Sequence, residues 1–248
     1  MRAVQSLPSF YTLRELSGMT ELHAVADLER RIWGTQMMTM QPELLLAMQF
    51  EGALLSGAFT TGGELVAFVF GFPTRDPQVQ HSHALGILDG HRNAGLGARL
   101  KWWQRAWCLA HGVHTVRWTY DPLRIQNAKL NIFKLGAVAG EYLPDYYGEL
   151  TGINAGTPSD RLMAVWTLED SSVLDRLEGR AQAVSRDALV FELPADFGAL
   201  QTADPSAALE WRLRGRAFLQ DAFAQGYQIT ALQLEPVCAY LLERRPGA

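Results

Sequence analysis

The stretch Ser82-His-Ala-Leu-Gly-Ile-Leu-Asp-Gly-His-Arg-Asn-Ala-Gly-Leu-Gly97 decides the fold, because it joins a strand to a helix through a glycine-rich turn. A short apolar run, Ala84 to Leu88, ends in a polar turn. Arg92-x-x-Gly95-x-Gly97 then opens into a long helical pattern. Glycines let backbone N–H groups approach an anion, and the helix dipole favours negative charge at that end. The turn therefore reads as a site for a phosphorylated ligand, although the same residues would also serve as a plain strand-to-helix turn. Spacing excludes two phosphate motifs. A P-loop needs Lys-Ser/Thr where Leu96-Gly97 stand, and a dinucleotide fingerprint needs a third glycine where Leu100 stands.

The pattern continues downstream. Leu96, Leu100, Trp103, Trp107 and Ala110 recur at helical spacing, so a helix from about Leu96 to His111 is expected to bury that face, and Gly112 stops it. Val113 to Tyr120 is β-rich and reads as the next strand, broken by Asp121-Pro122. Asn127 to Gly136 reads as a short helix closed by glycine.

A strand followed by R-x-x-G-x-G and a helix resembles the cofactor motif of the GNAT acyltransferases. HSHALGIL, RWTYDPL, NAKLNIFKLGA, YLPDYYG and PSDRL together are similar to a subfamily of stand-alone bacterial GNAT proteins, over about Tyr11 to Leu168. The resemblance implies an α/β fold with a mixed, mostly antiparallel central sheet and flanking helices. It also implies that Arg92, Asn93, Ala94, Gly95, Leu96 and Gly97 hold the pyrophosphate of an acyl-CoA. The backbone of Leu85, Gly86 and Ile87 would pair with the pantetheine arm. Asn127 would contact that arm, helix capping being its alternative. One position departs from the common pattern: Ile132 stands four residues before Gly136, where many relatives carry the tyrosine that protonates the leaving thiolate.

The rest of the chain bounds the reading. With 48% hydrophobic and 19% charged residues, 248 residues can bury a sizeable core. A net charge of -4 gives no basic footprint for nucleic acid. No apolar run approaches the roughly 20 residues that cross a bilayer. MRAVQSLPSF has no long apolar stretch of the secretion type, so a cytoplasmic protein is expected. Cys108 and Cys238 are too few for a disulfide framework or a structural zinc site, and no metal is expected.

Tyr11 to Leu16 reads as a first strand, and Thr20 as the cap of a helix that ends at Gly34. A second helix begins near Pro42. Ala53 to Thr60 and Glu64 to Phe72 form a hairpin around Thr61-Gly62-Gly63. Thr74 to Gln80 reads as a loop, Asp145 to Leu150 as a strand, Thr151 to Pro158 as a loop and Arg161 to Leu168 as a strand. The expected division is a GNAT core, residues 1–168, and an extension of β-α-β-β order, residues 169–248, packed on it. The extension's helix, Pro205 to Gly226, is expected to turn Leu209, Leu213, Phe218 and Phe223 to one face.

Acyl transfer needs a base for the amine and an acid for the thiolate. On a regular strand His81, His83, Leu85 and Ile87 share one face, which makes His83 the candidate base; a surface histidine is the alternative. His91 and His111 read as capping or solvated. Tyr142, Tyr146 and Tyr147 are the candidate acids, with Tyr146 preferred and core packing the alternative. Asp121 would orient a histidine or bind an acceptor ammonium, or else simply close an Asp-Pro turn. Arg117 and Arg124 would meet a distal carboxylate on the acyl group, or else be solvated. The reading is an N-acyltransferase that uses acetyl-CoA or succinyl-CoA on the amine of a small molecule, first of all an amino acid. A catalytically silent CoA-binding module and a protein N-acetyltransferase are the rivals. A homodimer is left open.

Overall fold

The computed structural model of the protein describes residues 10–35, 39–148, 157–180 and 185–244. The chain forms two compact units, the first ending at Val116 and the second beginning at Arg117. Among the described residues no helix is long and apolar enough to cross a membrane.

In the first unit the strands β1 (Tyr11–Glu15), β2 (Leu54–Thr60), β3 (Leu65–Pro73) and β4 (Val79–Ile87) pair in that order, each antiparallel to the next. Gly63 closes the β2–β3 hairpin at φ 83°, a conformation that favours glycine. The central strand β3 is apolar throughout because helices cover both faces. Phe68 and Phe70 pack with Leu22, Val25 and Leu28 of α1 (Gly18–Trp33) and Leu45 of α2 (Pro42–Phe50). Ala67 and Val69 alternate to the other side, against Leu96 and Leu100 of α3 (Leu96–Ala110). Period-two alternation thus divides one strand between two cores.

Some expectations are corrected here. Helix α1 starts at Gly18 after Ser17, two residues before Thr20, and the Glu21 carboxylate accepts the Ser17 amide at 2.8 Å. The expected loop Thr74 to Gln80 is shorter, since β4 begins at Val79. The buried face of α3 is rotated from the expected one. Ala110 is exposed and Trp103 and Trp107 are half-buried, while Lys101, Gln104 and Cys108 go inside with Leu96 and Leu100.

The second unit begins within β5 (Thr115–Tyr120), which leads to α4 (Ile125–Ala128) and on into a π-helical turn over Lys129–Lys134. Gly136, at φ 71°, ends this segment. A Cβ there would stand 2.9 Å from the Ser172 carbonyl oxygen. Then follow β6 (Val138–Leu143), β7 (Arg161–Thr167), α5 (Ser171–Leu177), β8 (Leu189–Glu192), α6 (Phe197–Ala203), α7 (Pro205–Ala224), β9 (Tyr227–Gln233) and β10 (Ala239–Arg244). The spatial order of strands is β5, β7, β6, β9, β10, β8. The pairs β6–β7, β6–β9, β9–β10 and β10–β8 are antiparallel. The segment expected as a strand from Asp145 is a turn, with Asp145 at φ 47° and Gly148 at φ 66°. Its end at Leu150 and most of the expected Thr151–Pro158 loop lie outside the described residues.

Helix α7 buries a different face from the one its large apolar residues mark. Leu209 and Leu213 are exposed; the buried residues are Ala208, Arg212, Gly215, Leu219 and Ala222. Small residues let the helix approach closely. A Cβ on Gly215 would meet the Phe191 ring at 3.3 Å. The charge is what demands this face. Arg212 is 1% exposed and holds both oxygens of Asp121, at 2.9 and 2.8 Å. Arg216, one turn on, holds both oxygens of Asp160, which is fully buried, at 2.9 and 2.6 Å.

Removing one partner of a buried pair leaves an uncompensated charge, which costs about 3–5 kcal/mol. Arg212→Met is expected to lower the unfolding free energy, measured by urea denaturation, by that much. The double variant Asp121→Leu/Arg212→Met is expected to recover part of the loss. A single variant as stable as the parent would show that the pair contributes nothing.

Candidate active site

The candidate site in the first unit is β4 and the turn that follows it. Its decisive feature is an extra residue. Ala84 pairs with Phe70 and Ser82 with Gly71, so His83 has no opposite number on β3. Such a bulge reverses the alternation of side chains on either side of it. Leu85 and Ile87 pack on the α3 side, together with Val69 and Leu100. His83 lies on the opposite side, its ring 6.0 Å from Phe70 and 5.8 Å from Phe72, with His81 6.1 Å away. The expectation that His81, His83, Leu85 and Ile87 share one face is therefore overturned. His83 remains accessible to solvent, but burial among these rings lowers its pKa below the usual imidazole value. Near this face is a cleft of about 190 Å³, lined by Ala47, Met48, Glu51, Phe72 and Pro73. Gly86 has a packing role of its own: a Cβ there would stand 2.5 Å from Phe68 and 2.9 Å from Ile32.

A second arrangement, which sequence reading missed, lies behind the bulge. The Lys101 ammonium donates to Ser82 Oγ at 3.0 Å and to Gln104 Oε1 at 2.7 Å. Gln104 Nε2 donates to Gln80 Oε1 at 2.6 Å. The group needs Gly71, because a Cβ there would lie 2.5 Å from Gln80 Oε1. Burial brings Lys101 down to about 7 and pushes the neighbouring Cys108 thiol up to about 12. In the sequence the only trace of this group is that Lys101, Gln104 and Cys108 repeat at the spacing of the α3 core line.

After Ile87 the chain makes a 3-10 turn over Asp89–His91, and Asn93 (φ 65°) and Gly95 (φ 73°) both turn left-handed before α3 begins at Leu96. Asparagine and glycine are the residues that tolerate this conformation. Arg92, Asn93 and Ala94 are exposed, Gly95 and Gly97 half-buried, and Leu96 buried. The first amides of a helix have no intrahelical acceptor, so the turn delivers N–H groups and a positive dipole to one place. The Arg92 guanidinium is tethered, paired with Asp89 at 2.8 Å. His91 is not a cap; it shares a 2.9 Å hydrogen bond with the Tyr11 hydroxyl. His111 does close its helix, with Nδ1 2.7 Å from the Trp107 carbonyl oxygen.

The second unit holds the other sequence candidates. Asp121 is committed to Arg212 and to the Leu123 amide, so its carboxylate serves this pair and a turn, not the histidine or ammonium expected of it. Tyr142 donates to Asp160 at 2.7 Å; burial and that carboxylate raise its pKa well above the usual phenol value, which makes it a poor acid. Burial would raise Asp160 as well, but hydrogen bonds from Arg216, the Asp145 amide and Tyr142 outweigh it and lower its pKa. Tyr146 and Tyr147 stay 47% and 52% exposed, edge to face at 4.8 Å, so neither belongs to the core. Asn127 sits inside α4, whose cap is Arg124, and so is not a helix cap. Arg124 donates to Gln201 at 2.7 Å, and Arg117 is exposed on β5. Ile132 is fully buried, so the position of the missing tyrosine is a core position here.

No protein-family model and no curated protein matches the chain. Solved structures do match. The chain resembles the aminoglycoside 6'-acetyltransferase type Ii, at 19% identity and TM-score 0.53, over 64% of this chain and 98% of that one. The ribosomal-protein-S18-alanine N-acetyltransferase from Escherichia coli matches at 16% identity and TM-score 0.53, over 65% and 96%. An aminoglycoside 6'-N-acetyltransferase complexed with coenzyme A matches at 16% and 0.52, over 64% and 98%. The chain has the GNAT fold. The glycine-rich turn at α3 thus lies in a GNAT-fold protein whose β4 carries a bulge at His83.

Lowering of the His83 pKa by apolar neighbours has a checkable sign. The folded state binds fewer protons at His83 than the unfolded chain, so this group's contribution to stability is present above the unfolded value near 6.5 and is lost as pH falls from there through the lower folded value. Titration of His83 by NMR is expected to show a midpoint below 6.5, and Phe72→Ala is expected to move it upward. A midpoint at or above the free value would contradict the assigned environment.

Proposed function

We propose that this protein is an acyl-CoA-dependent N-acyltransferase that acts on the amine of a small molecule, with an amino acid as the leading acceptor. The observation that carries the reading is the chain path from bulged β4 through left-handed Asn93 and Gly95 into α3. In this reading the amides of Asn93 to Gly97 hold the pyrophosphate, with Arg92 adding charge at the rim. Backbone groups of Leu85, Gly86 and Ile87 meet the pantetheine arm, and one N–H stabilises the oxyanion.

The amine attacks the thioester carbonyl and a tetrahedral oxyanion forms. Collapse breaks the C–S bond, giving the amide and the CoA thiolate. His83 accepts the amine's proton; a depressed pKa keeps its imidazole neutral and ready to accept at neutral pH. Protonation of the thiolate completes the reaction, and Tyr146 is the candidate acid, an exposed phenol not engaged in the core. For the acyl group the reading keeps both acetyl and succinyl. A second reading, a silent CoA-binding module, is favoured by one observation: Ile132 fills its site as a core side chain and leaves no phenol there.

CoA and acetyl-CoA are expected to raise the melting temperature, by the equivalent of about 2.7 kcal/mol at a hundredfold excess over Kd, whereas ATP and NAD are not. Gly97→Glu, which sets a carboxylate against the pyrophosphate, is expected to abolish the shift. His83→Ala is expected to lower turnover about 10²–10⁴-fold while keeping the CoA shift. A CoA shift without acyl transfer to any amine would favour the silent module.

A further inference from the structure

In the second unit Arg161 lies within electrostatic reach of Asp121, Asp160 and Arg212. Arg212 neutralises Asp121 and Arg216 neutralises Asp160, each through two hydrogen bonds. Arg161, the first residue of β7, has no acidic partner within ion-pair distance among the described residues. Among the described residues its one side-chain hydrogen bond runs from Nη1 to the Asp160 carbonyl oxygen, at 2.8 Å. A guanidinium carries five N–H donors in a planar fork, so most of the fork is unused. Burial lowers the Arg161 pKa and outweighs the pull of Asp121 and Asp160, each of which is already held by another arginine.

The surroundings are shaped. The Arg161 guanidinium lies 5.0 Å from the centre of the Tyr147 ring. That ring is fixed by a 3.0 Å contact between its hydroxyl and Thr119 Oγ1, and by Tyr146 packed on it edge to face. Both rings keep about half their surface open beside the cation. Arg161, Arg212 and Arg216 stand with Asp121 and Asp160, and the Asp145 carboxylate, bonded to Ser159, belongs to the same cluster, with Arg161 as the one of the three guanidiniums not in an ion pair among the described residues. A planar fork with open N–H groups matches a carboxylate taken in by two parallel bonds; a doubly charged phosphate would meet stronger repulsion from the carboxylates nearby.

We propose that Arg161 anchors the carboxylate of a bound small molecule, with Tyr147 holding the guanidinium in plane and the open faces of Tyr146 and Tyr147 receiving the ligand's apolar part. Under the acyl-transfer reading, on which this assignment of source rests, the carboxylate belongs either to an amino-acid acceptor or to the far end of a dicarboxylic acyl donor. Arg124, already held by Gln201, and the exposed Arg117 are less suited to the task.

The test compares parent, Arg161→Met and Arg161→Lys, with phenylalanine and phenylalaninamide as acceptors and acetyl-CoA and succinyl-CoA as donors. If the acceptor supplies the carboxylate, Arg161→Met lowers the preference for phenylalanine over phenylalaninamide about 10- to 100-fold, with either donor. If the donor supplies it, the preference for succinyl-CoA over acetyl-CoA falls instead. Arg161→Lys keeps the charge but not the fork and lies between. Binding of phenylalanine and of succinate, followed by NMR of the tyrosine rings in the full chain, gives a readout independent of acyl transfer. Should no acyl transfer occur, loss of that binding in Arg161→Met still upholds the anchor. Should Arg161→Met not fold, Arg161→Lys and Tyr147→Leu carry the comparison. Unchanged preferences together with unchanged binding, or inorganic phosphate bound more tightly than either carboxylate, would overturn the proposal.

Discussion

A single inserted residue in β4 governs the first unit. Because strand side chains alternate with period two, one unpaired position shifts the parity, so even-numbered residues before it and odd-numbered residues after it face α3. Gln80 and Ser82 reach the polar group under α3, Leu85 and Ile87 reach its apolar end, and His83 is turned toward Phe70 and Phe72. Without the insertion, His83 would lie on the side of Leu85, packed against α3 and Lys101. The bulge thus separates two ionisable groups, the imidazole beside aromatic rings and the amine inside a buried polar group. Both settings push protons off: the imidazole through its ring neighbours and the ammonium through complete burial.

The second unit depends on charges placed inside. Asp160 is fully buried and tied to Tyr142, the Asp145 amide and Arg216, so the turn after β6, the start of β7 and helix α7 are fastened at one carboxylate. Asp121 does the same for the end of β5 and the middle of α7. Pairs of this kind contribute little net stability compared with apolar packing, but they penalise every arrangement that leaves one partner alone. They therefore select one rotation of α7 among several that would bury more hydrocarbon.

That selection explains which parts of the fold were legible. The β2–β3 hairpin, the strand–turn–helix around Gly95 and the end of α1 at Gly34 follow from local rules, and the sequence shows them. The face of α7 does not follow. An arginine at a helical position looks like a solvated residue until its aspartate, 91 positions away for Arg212, is in place. The same applies to Lys101 and Gln104, whose partners lie on β4. The His83 face was misread for another reason: an inserted residue leaves no mark in composition, only in register. The Tyr146–Tyr147 pair is open to solvent because the chain there turns instead of continuing a sheet.

Lys101 gives the first unit an unusual thermodynamic signature. Its amine titrates at about 7 in the folded protein and at 10.5 as a free group, so at pH 8 to 9 the folded chain carries it neutral and the unfolded chain carries it charged. Unfolding there takes up a proton from the buffer, and stability contributed by this group rises with pH across that window. The heat of unfolding must therefore include the ionisation enthalpy of whatever buffer supplies that proton. Two buffers of equal pH and different ionisation enthalpy will yield different calorimetric heats for the same structural transition.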